Sequence, residues 1–143
     1  MEKISFDSGI REYCLNEGGV LRFNPGDPNL YGRFLDAGEK IAQVEKELRS
    51  QADEKTTGEE AIRLLLKADE KIKEILNWVF GEGNDFHTIL GGVNLMAVAD
   101  NGQRVVANLF SALQPILTEG AKRCAQMQTE EAVRRAKERR GEV

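Results

Sequence analysis

Hydrophobic positions follow a different pattern in the first 24 residues than in the rest of the chain. Near the N-terminus the β-forming residues come in short runs, broken by segments rich in turn formers at 8–9 and 16–19. We expect a hairpin of residues 12–15 with 20–24, to which residues 3–6 could add a third strand. A sheet of such short strands has to pack on helices, because it cannot bury itself alone.

The clearest helix signal follows a turn at residues 24–29. Asp27 is an N-cap acceptor, and Pro28 stands at the first helical position, where no N–H is needed. Beyond it, apolar residues recur every three or four positions as far as Leu48, while charged residues fill the other face. The pattern predicts one amphipathic helix, followed by a polar segment at 50–58. Its predicted inner side carries Leu30, Phe34, Ala37, Ile41, Val44 and Leu48.

A second helix is predicted over residues 59–80, ended by Gly81 and forming an antiparallel hairpin with the first. The segment 81–92 is interrupted by glycines at both ends, and we expect one short helical turn at 85–90, capped by Asp85. The apolar residues predicted for the inner side of the second helix are Ile62, Leu65, Leu66, Ile72, Leu76, Val79 and Phe80.

A last long helix is predicted from about residue 102 to 127. Pro115 lies inside it, where it removes a backbone donor and clashes with the preceding turn, so we expect a kink between Leu113 and Leu117. The apolar stripe of this helix consists of Val105, Val106, Leu109, Phe110, Leu113, Ile116 and Leu117.

These elements define the predicted architecture. The fold class is α+β, mostly α, with a small N-terminal antiparallel β-hairpin or three-stranded sheet followed by a bundle of three to four helices. Residues 1–128 form a single domain, β-rich over 1–24 and helical over 28–128. Residues 129–143 form a charged C-terminal tail that has almost no apolar side chains to bury and should project from the core.

Composition excludes several classes of protein. The chain has 143 residues, of which 41% are hydrophobic and 31% charged, enough apolar content for one globular domain. Its net charge of −4, from 24 acidic and 20 basic residues, disfavours general attraction to nucleic acid, and the basic cluster at 134–140 is balanced by nearby glutamates. No apolar run is long enough for a membrane span or a signal peptide, so we expect an intracellular protein.

The residues that could carry chemistry do not form a recognisable set. His87 is the single histidine, and no partner for catalysis is evident from the sequence. Cys14 and Cys124 are far apart, without metal-ligand spacing, and we expect both to be free buried thiols. The glycines at 81–92 match no phosphate-binding motif. We therefore expect no enzymatic activity, no cofactor and no bound metal.

Three stretches, in this order, resemble a known family. They are LRFNPGDPNL at 21–30 with the helix start that follows it, VFGEG at 79–83 with ILGG at 89–92, and NLFSALQPIL at 108–117. Together they are similar to the tail assembly chaperones of long-tailed, siphovirus-type phages and prophages of Gram-positive bacteria. That family likewise runs from a strand through an N-P-x-D-like turn into an amphipathic helix, and has a central phenylalanine-glycine segment and a late helix.

The resemblance implies a non-enzymatic assembly factor in the cytoplasm of the bacterial host. Such proteins coat the tape measure protein, help to recruit the tail-tube protein and are absent from the mature virion. We expect homo-oligomers and no contact with nucleic acid or membrane. The alternatives are a small helical structural phage protein, such as a head-tail connector or tail completion protein, and a helical regulator that uses the basic tail. The residues expected to bind the client or a second copy are Val105, Leu109, Phe110, Leu113, Ile116 and Leu117.

Overall fold

Two short strands precede four helices in the structure, a computed structural model that describes residues 1–141. This order confirms the predicted α+β, mostly α fold class. Positions 142 and 143 of the predicted tail lie outside the described residues. The elements are β1 (Arg11–Cys14), β2 (Val20–Phe23), α1 (Pro28–Gln51), α2 (Gly58–Phe80), α3 (Phe86–Ile89) and α4 (Val105–Arg140).

The strands form an antiparallel hairpin in which Tyr13 lies opposite Leu21. Its turn packs tightly on α3: the N–H of Gly19 donates to the carbonyl of Ile89, and a Cβ on Gly19 would lie 2.6 Å from the Ile89 Cα. Within residues 1–141 the sheet has two strands only, so the three-stranded alternative is wrong. The chain turns at Gly9, which has a φ of +76°, and residues 3–6 therefore do not continue along the sheet.

Helices α1 and α2 form the predicted antiparallel hairpin. Near one end the Arg33 guanidinium donates to the carbonyl of Val79 at 2.9 Å, and near the other Lys71 lies 3.4 Å from Glu47. Asp27 caps α1 by accepting a hydrogen bond from the Asn29 N–H, as its sequence predicts. The predicted inner side of α1 is confirmed: its first four positions are buried and Val44 and Leu48 are partly buried.

On α2 two predicted inner positions are wrong. Ile62 and Leu66 are more than half exposed, because they lie to one side of the stripe that runs from Leu65 through Ala68 and Ile72; Leu65, between them in sequence, is partly buried against the core. The buried face begins at Ala68 and continues through Ile72, Leu76, Val79 and Phe80. This helix starts with a capping box in which the Thr57 side chain accepts from the Glu60 N–H and Glu60 accepts from the Thr57 N–H.

A row of aromatic rings joins the hairpin to the centre of the chain. Tyr13 stacks on Phe23 with 4.6 Å between ring centroids, Phe23 meets Phe80 edge to face at 5.2 Å, and Phe80 lies 5.5 Å from Phe86. Phe86 and Ile89 are buried. The short helical turn predicted within the segment 81–92 therefore buries its two large side chains in the core.

The segment 91–104, between α3 and α4, is fixed by an ion pair inside the protein. Asp69 and Lys73 lie one turn apart on α2, and their Oδ2 and Nζ atoms are 3.0 Å apart, both side chains being buried. The other carboxylate oxygen of Asp69 accepts a hydrogen bond of 2.8 Å from the N–H of Leu95. This bond holds Leu95 and Met96 in the core.

Helix α4 differs from its predicted bounds at both ends. It begins at Val105 instead of residue 102, because residues 99–103 form a turn: Gly102 has a φ of +80°, and the Gln103 N–H donates to the side chain of Asn101. It ends at Arg140 instead of residue 127, and so includes most of the predicted tail. The predicted domain boundary at 128 falls inside this unbroken helix, whose last buried residue is Gly120. The bend expected at Pro115 stays a prediction.

Both cysteine thiols are free, as expected, but the expectation that they are buried is wrong. Cys14 is exposed because it lies on the outer face of β1, on the side of the hairpin opposite Tyr13. Cys124 is partly buried because it lies one turn beyond Gly120, where α4 leaves the core.

Candidate functional site

The six α4 residues predicted to bind the client or a second copy divide into two groups. Leu113 and Leu117 are buried, and they belong to the core that joins α4 to the rest of the molecule. These two side chains are therefore not available to a partner. The other four positions are only partly buried and lie at the margin of the core; they are Val105, Leu109, Phe110 and Ile116.

Phe110 lies where α4 crosses α1. Its ring stacks on that of Phe34, with centroids 5.1 Å apart and an angle of 20° between the planes. Phe34 is buried, whereas Phe110 keeps part of its surface accessible. The stacked pair thus fixes the orientation of an aromatic side chain that borders the surface.

A small groove opens between α1 and α4 beside this pair, with a volume of about 170 Å³. Its walls are mostly apolar, and Glu45 is its single charged lining residue. Because an apolar groove with a charge at its rim can accept the apolar face of a helix, this is the binding geometry that the described residues favour. The lining residues are Gly38, Ile41, Ala42, Glu45, Val106, Ala107 and Phe110.

The α1 wall of this groove was not identified from the sequence. Gly38 and Ala42 lie one turn apart on α1, and both are exposed. A Cβ on Gly38 would meet nothing within 4 Å, so no packing inside the described chain requires a glycine there. A signal was present, since two small residues four positions apart flank the apolar Ile41, but only the structure shows that they face α4.

The single histidine, His87, lies in the first turn of α3. Its Nδ1 lies 3.9 Å from a carboxylate oxygen of Glu70, and its own N–H donates to the Asp85 side chain that caps α3. This backbone hydrogen bond, followed by one from the Asn77 amide, lowers the pKa of Asp85 below its ordinary value. The main chain of His87 thus contributes to the cap of α3, and its imidazole is partly exposed.

Two further properties of residues 1–141 bear on function. In that part of the chain no group of three or more His, Cys, Asp or Glu side chains is arranged to hold a metal ion. None of the helices described there has both the length and the apolar character that crossing a bilayer requires.

Comparison of the chain with protein-family models, with curated proteins and with solved structures finds no match. The residues and their geometry are therefore the basis on which its function can be argued.

Proposed function

We propose that this protein is a tail assembly chaperone of a long-tailed phage or prophage, which binds the tape measure protein and supports assembly of the tail tube without being an enzyme. It acts in the host cytoplasm and leaves before the virion is complete. The proposal is supported by the three ordered stretches at 21–30, 79–92 and 108–117 that resemble this family. The structural observation that carries it is the groove between α1 and α4.

The groove suits a helical client. Gly38 and Ala42 give one wall so little side chain that the backbone of an incoming helix can approach α1 closely. The other wall presents Phe110, which is held in place by its stack on Phe34. A tape measure protein is a long helical chain, and the apolar face of such a helix needs a few large anchors in a groove of this kind.

The proposed binding site differs from the set of α4 residues expected from the sequence. It keeps Phe110 as the central contact. Val105, Leu109 and Ile116 are partly buried but are not among the residues that line the groove, and Leu113 and Leu117 hold α4 in the core. It adds Ala42 as a position where a larger side chain would fill the groove from the surface. Because Ala42 is exposed, such a change leaves the core intact.

The first prediction uses Ala42→Lys, which blocks the groove, and Gln43→Lys, which adds the same side chain one position away on an exposed site outside the lining. Each variant is co-expressed with the tape measure protein encoded by a neighbouring gene, and the recovered complex is titrated. We expect Ala42→Lys to weaken binding at least tenfold, about 1.4 kcal/mol, and Gln43→Lys to change it less than twofold.

The wild-type chain provides the broader test. If the tape measure protein is equally soluble with and without this chain, and no complex is recovered at moderate salt, the chaperone proposal is wrong. The alternative function, that of a head-tail connector or tail completion protein, is then favoured. If both lysine variants bind as the wild type does, the chaperone function stands and the groove is not its site.

A further inference from the structure

The first six residues lie outside the core although they carry large apolar side chains. Ile4 is 88% exposed and Phe6 is 81% exposed. Within residues 1–141 the main-chain groups of 1–6 form no hydrogen bonds. We call residues 1–6 the arm. Leaving such side chains in water forgoes roughly 25 cal/mol for each Å² of apolar surface that could be buried.

The root of the arm is fixed to the hairpin. The Asp7 carboxylate accepts a hydrogen bond of 2.8 Å from the Gly9 N–H, and Gly9 has a φ of +76°. The Ser8 carbonyl accepts a hydrogen bond of 3.0 Å from the side-chain amide of Asn24, the residue that follows β2. The arm is therefore tied beside the end of β2, while β1 of the same chain begins two residues after Gly9.

The two edges of the sheet are not equivalent. The N–H and C=O of Arg22 in β2 both bond to the side chain of Asn84, at 2.9 and 2.8 Å. Arg22 is paired with Glu12, and in an antiparallel ladder two such partners turn their main-chain groups outward together. The N–H and C=O of Glu12 thus face away from β2, and they bond to no group of the described chain. The edge of β1 is open.

The arm has the alternation that a strand on this edge needs. In an extended chain Ile4 and Phe6 share one face, and Lys3 and Ser5 share the other. On β1 the half-buried Tyr13 faces the core, and Glu12 and Cys14 face outward. A strand that places Ile4 and Phe6 on the face of Tyr13, which exposed Arg11 shares, also places Lys3 on the same face as Glu12, so that one aromatic contact and one pair of opposite charges match.

We propose that the arm of one copy adds as a strand to the open β1 edge of a second copy of this chain, and that the second copy does the same in return. Each copy carries both the arm and the edge, so the exchange closes on a two-fold dimer. The arm does not pair with β1 of its own copy, because its root is hydrogen-bonded to Asn24, beside β2. This inference is independent of the proposed client, which occupies the groove between α1 and α4.

The second prediction tests this exchange by sedimentation. The full chain is expected to form a dimer at tens of micromolar, and a chain that starts at Asp7 is expected to be a monomer with an unchanged circular dichroism spectrum per folded residue. The paired variant Ile4→Ser with Phe6→Ser should weaken the dimer at least tenfold. A full chain that sediments as a 16.0 kDa monomer, or a dimer that persists without the arm, would overturn the proposal.

Disulfide formation tests the pairing of the two faces. In a Cys124→Ser background, Lys3→Cys and Ser5→Cys lie on the face of Cys14, whereas Ile4→Cys stands between them in sequence and faces the other way. We expect at least one of the first two to yield a dimer linked through Cys14 under mild oxidation, at least fivefold more than Ile4→Cys, and none after Cys14→Ser. Equal yields from all three variants, or a bond formed within a monomer, would contradict the exchange.

Discussion

The two halves of α4 are one helix by hydrogen bonding but differ in what stabilises them. Residues 105–120 bury Val106, Leu113, Leu117 and Gly120, and they close the core over α1. Residues 121–140 have no fully buried side chain, and Cys124 is only partly buried. The same backbone geometry thus has two sources: tertiary packing in the first half and local interactions in the second.

The second half has the sequence features that such a helix needs. Glu130 and Glu131 stand four positions before Arg134 and Arg135, which is the favourable order for pairs of opposite charge on a helix. Gly141 ends the helix in a left-handed conformation, and its N–H donates to the carbonyl of Glu138. At 1.5 Å per residue, residues 121–140 extend roughly 30 Å past Gly120.

The third and largest expected effect contrasts a buried side chain in the first half of α4 with an exposed side chain in the second half. Leu117→Ala removes a side chain with no exposed surface, and we expect the free energy of unfolding to fall by about 2–5 kcal/mol. Val133→Ala, in the exposed half, should change it by less than about 0.5 kcal/mol. Urea denaturation measures both, and equal losses would show that the second half is packed as well.

The fourth prediction concerns the point where α4 leaves the core. A Cβ on Gly120 would overlap the carbonyl of Pro25, so Gly120→Ala forces α4 away from the turn before α1 and should cost about 1–3 kcal/mol. Gly32→Ala is the matched control, because a Cβ there meets nothing within 4 Å and alanine favours the helix by about 0.5–1 kcal/mol. Thermal melts should therefore shift in opposite directions. A stabilising Gly120→Ala would mean that this crossing is not close.

The fifth and smallest effect is expected from removing the end of the second half. A chain that ends at Gln128 should lose helical signal in circular dichroism, yet its melting temperature should fall by less than about 5 °C, since none of the described residues 129–141 is buried. A chain that ends at Ile116 also loses Leu117 and Gly120, and it should not fold cooperatively. A large fall for the longer truncation product would show that the tail packs on the core.

The elements that could be predicted from the sequence are those whose signals are local. Asp27 followed by Pro28 marks the start of α1, and the spacing from Leu30 to Ile41 identifies its buried side. The hairpin was also predictable, because β-forming runs flank Gly18 and Gly19. In each case a short stretch of chain contains both the signal and its consequence.

Features that depend on contacts between distant parts of the chain could not be predicted from the sequence. Leu95 and Met96 lack helical or strand periodicity, and they are buried because Asp69, on another element, accepts the Leu95 N–H. Half of the candidate groove was missed for the same reason, since nothing in the α1 sequence indicates that Gly38 faces Phe110. The length of α4 was underestimated because the residues beyond about 127 have few apolar side chains, and apolar content indicates burial, not helix formation.

The buried pair on α2 has a consequence for how the sequence can change over evolutionary time. Losing Asp69 alone would leave a buried ammonium on Lys73 and an unpaired N–H on Leu95; losing Lys73 alone would leave a buried carboxylate. Either loss by itself is strongly unfavourable, whereas replacement of both by apolar residues is far better tolerated once the loop at Leu95 has changed. The two positions and that loop should therefore be inherited as one unit, with substitutions in descendants arriving together.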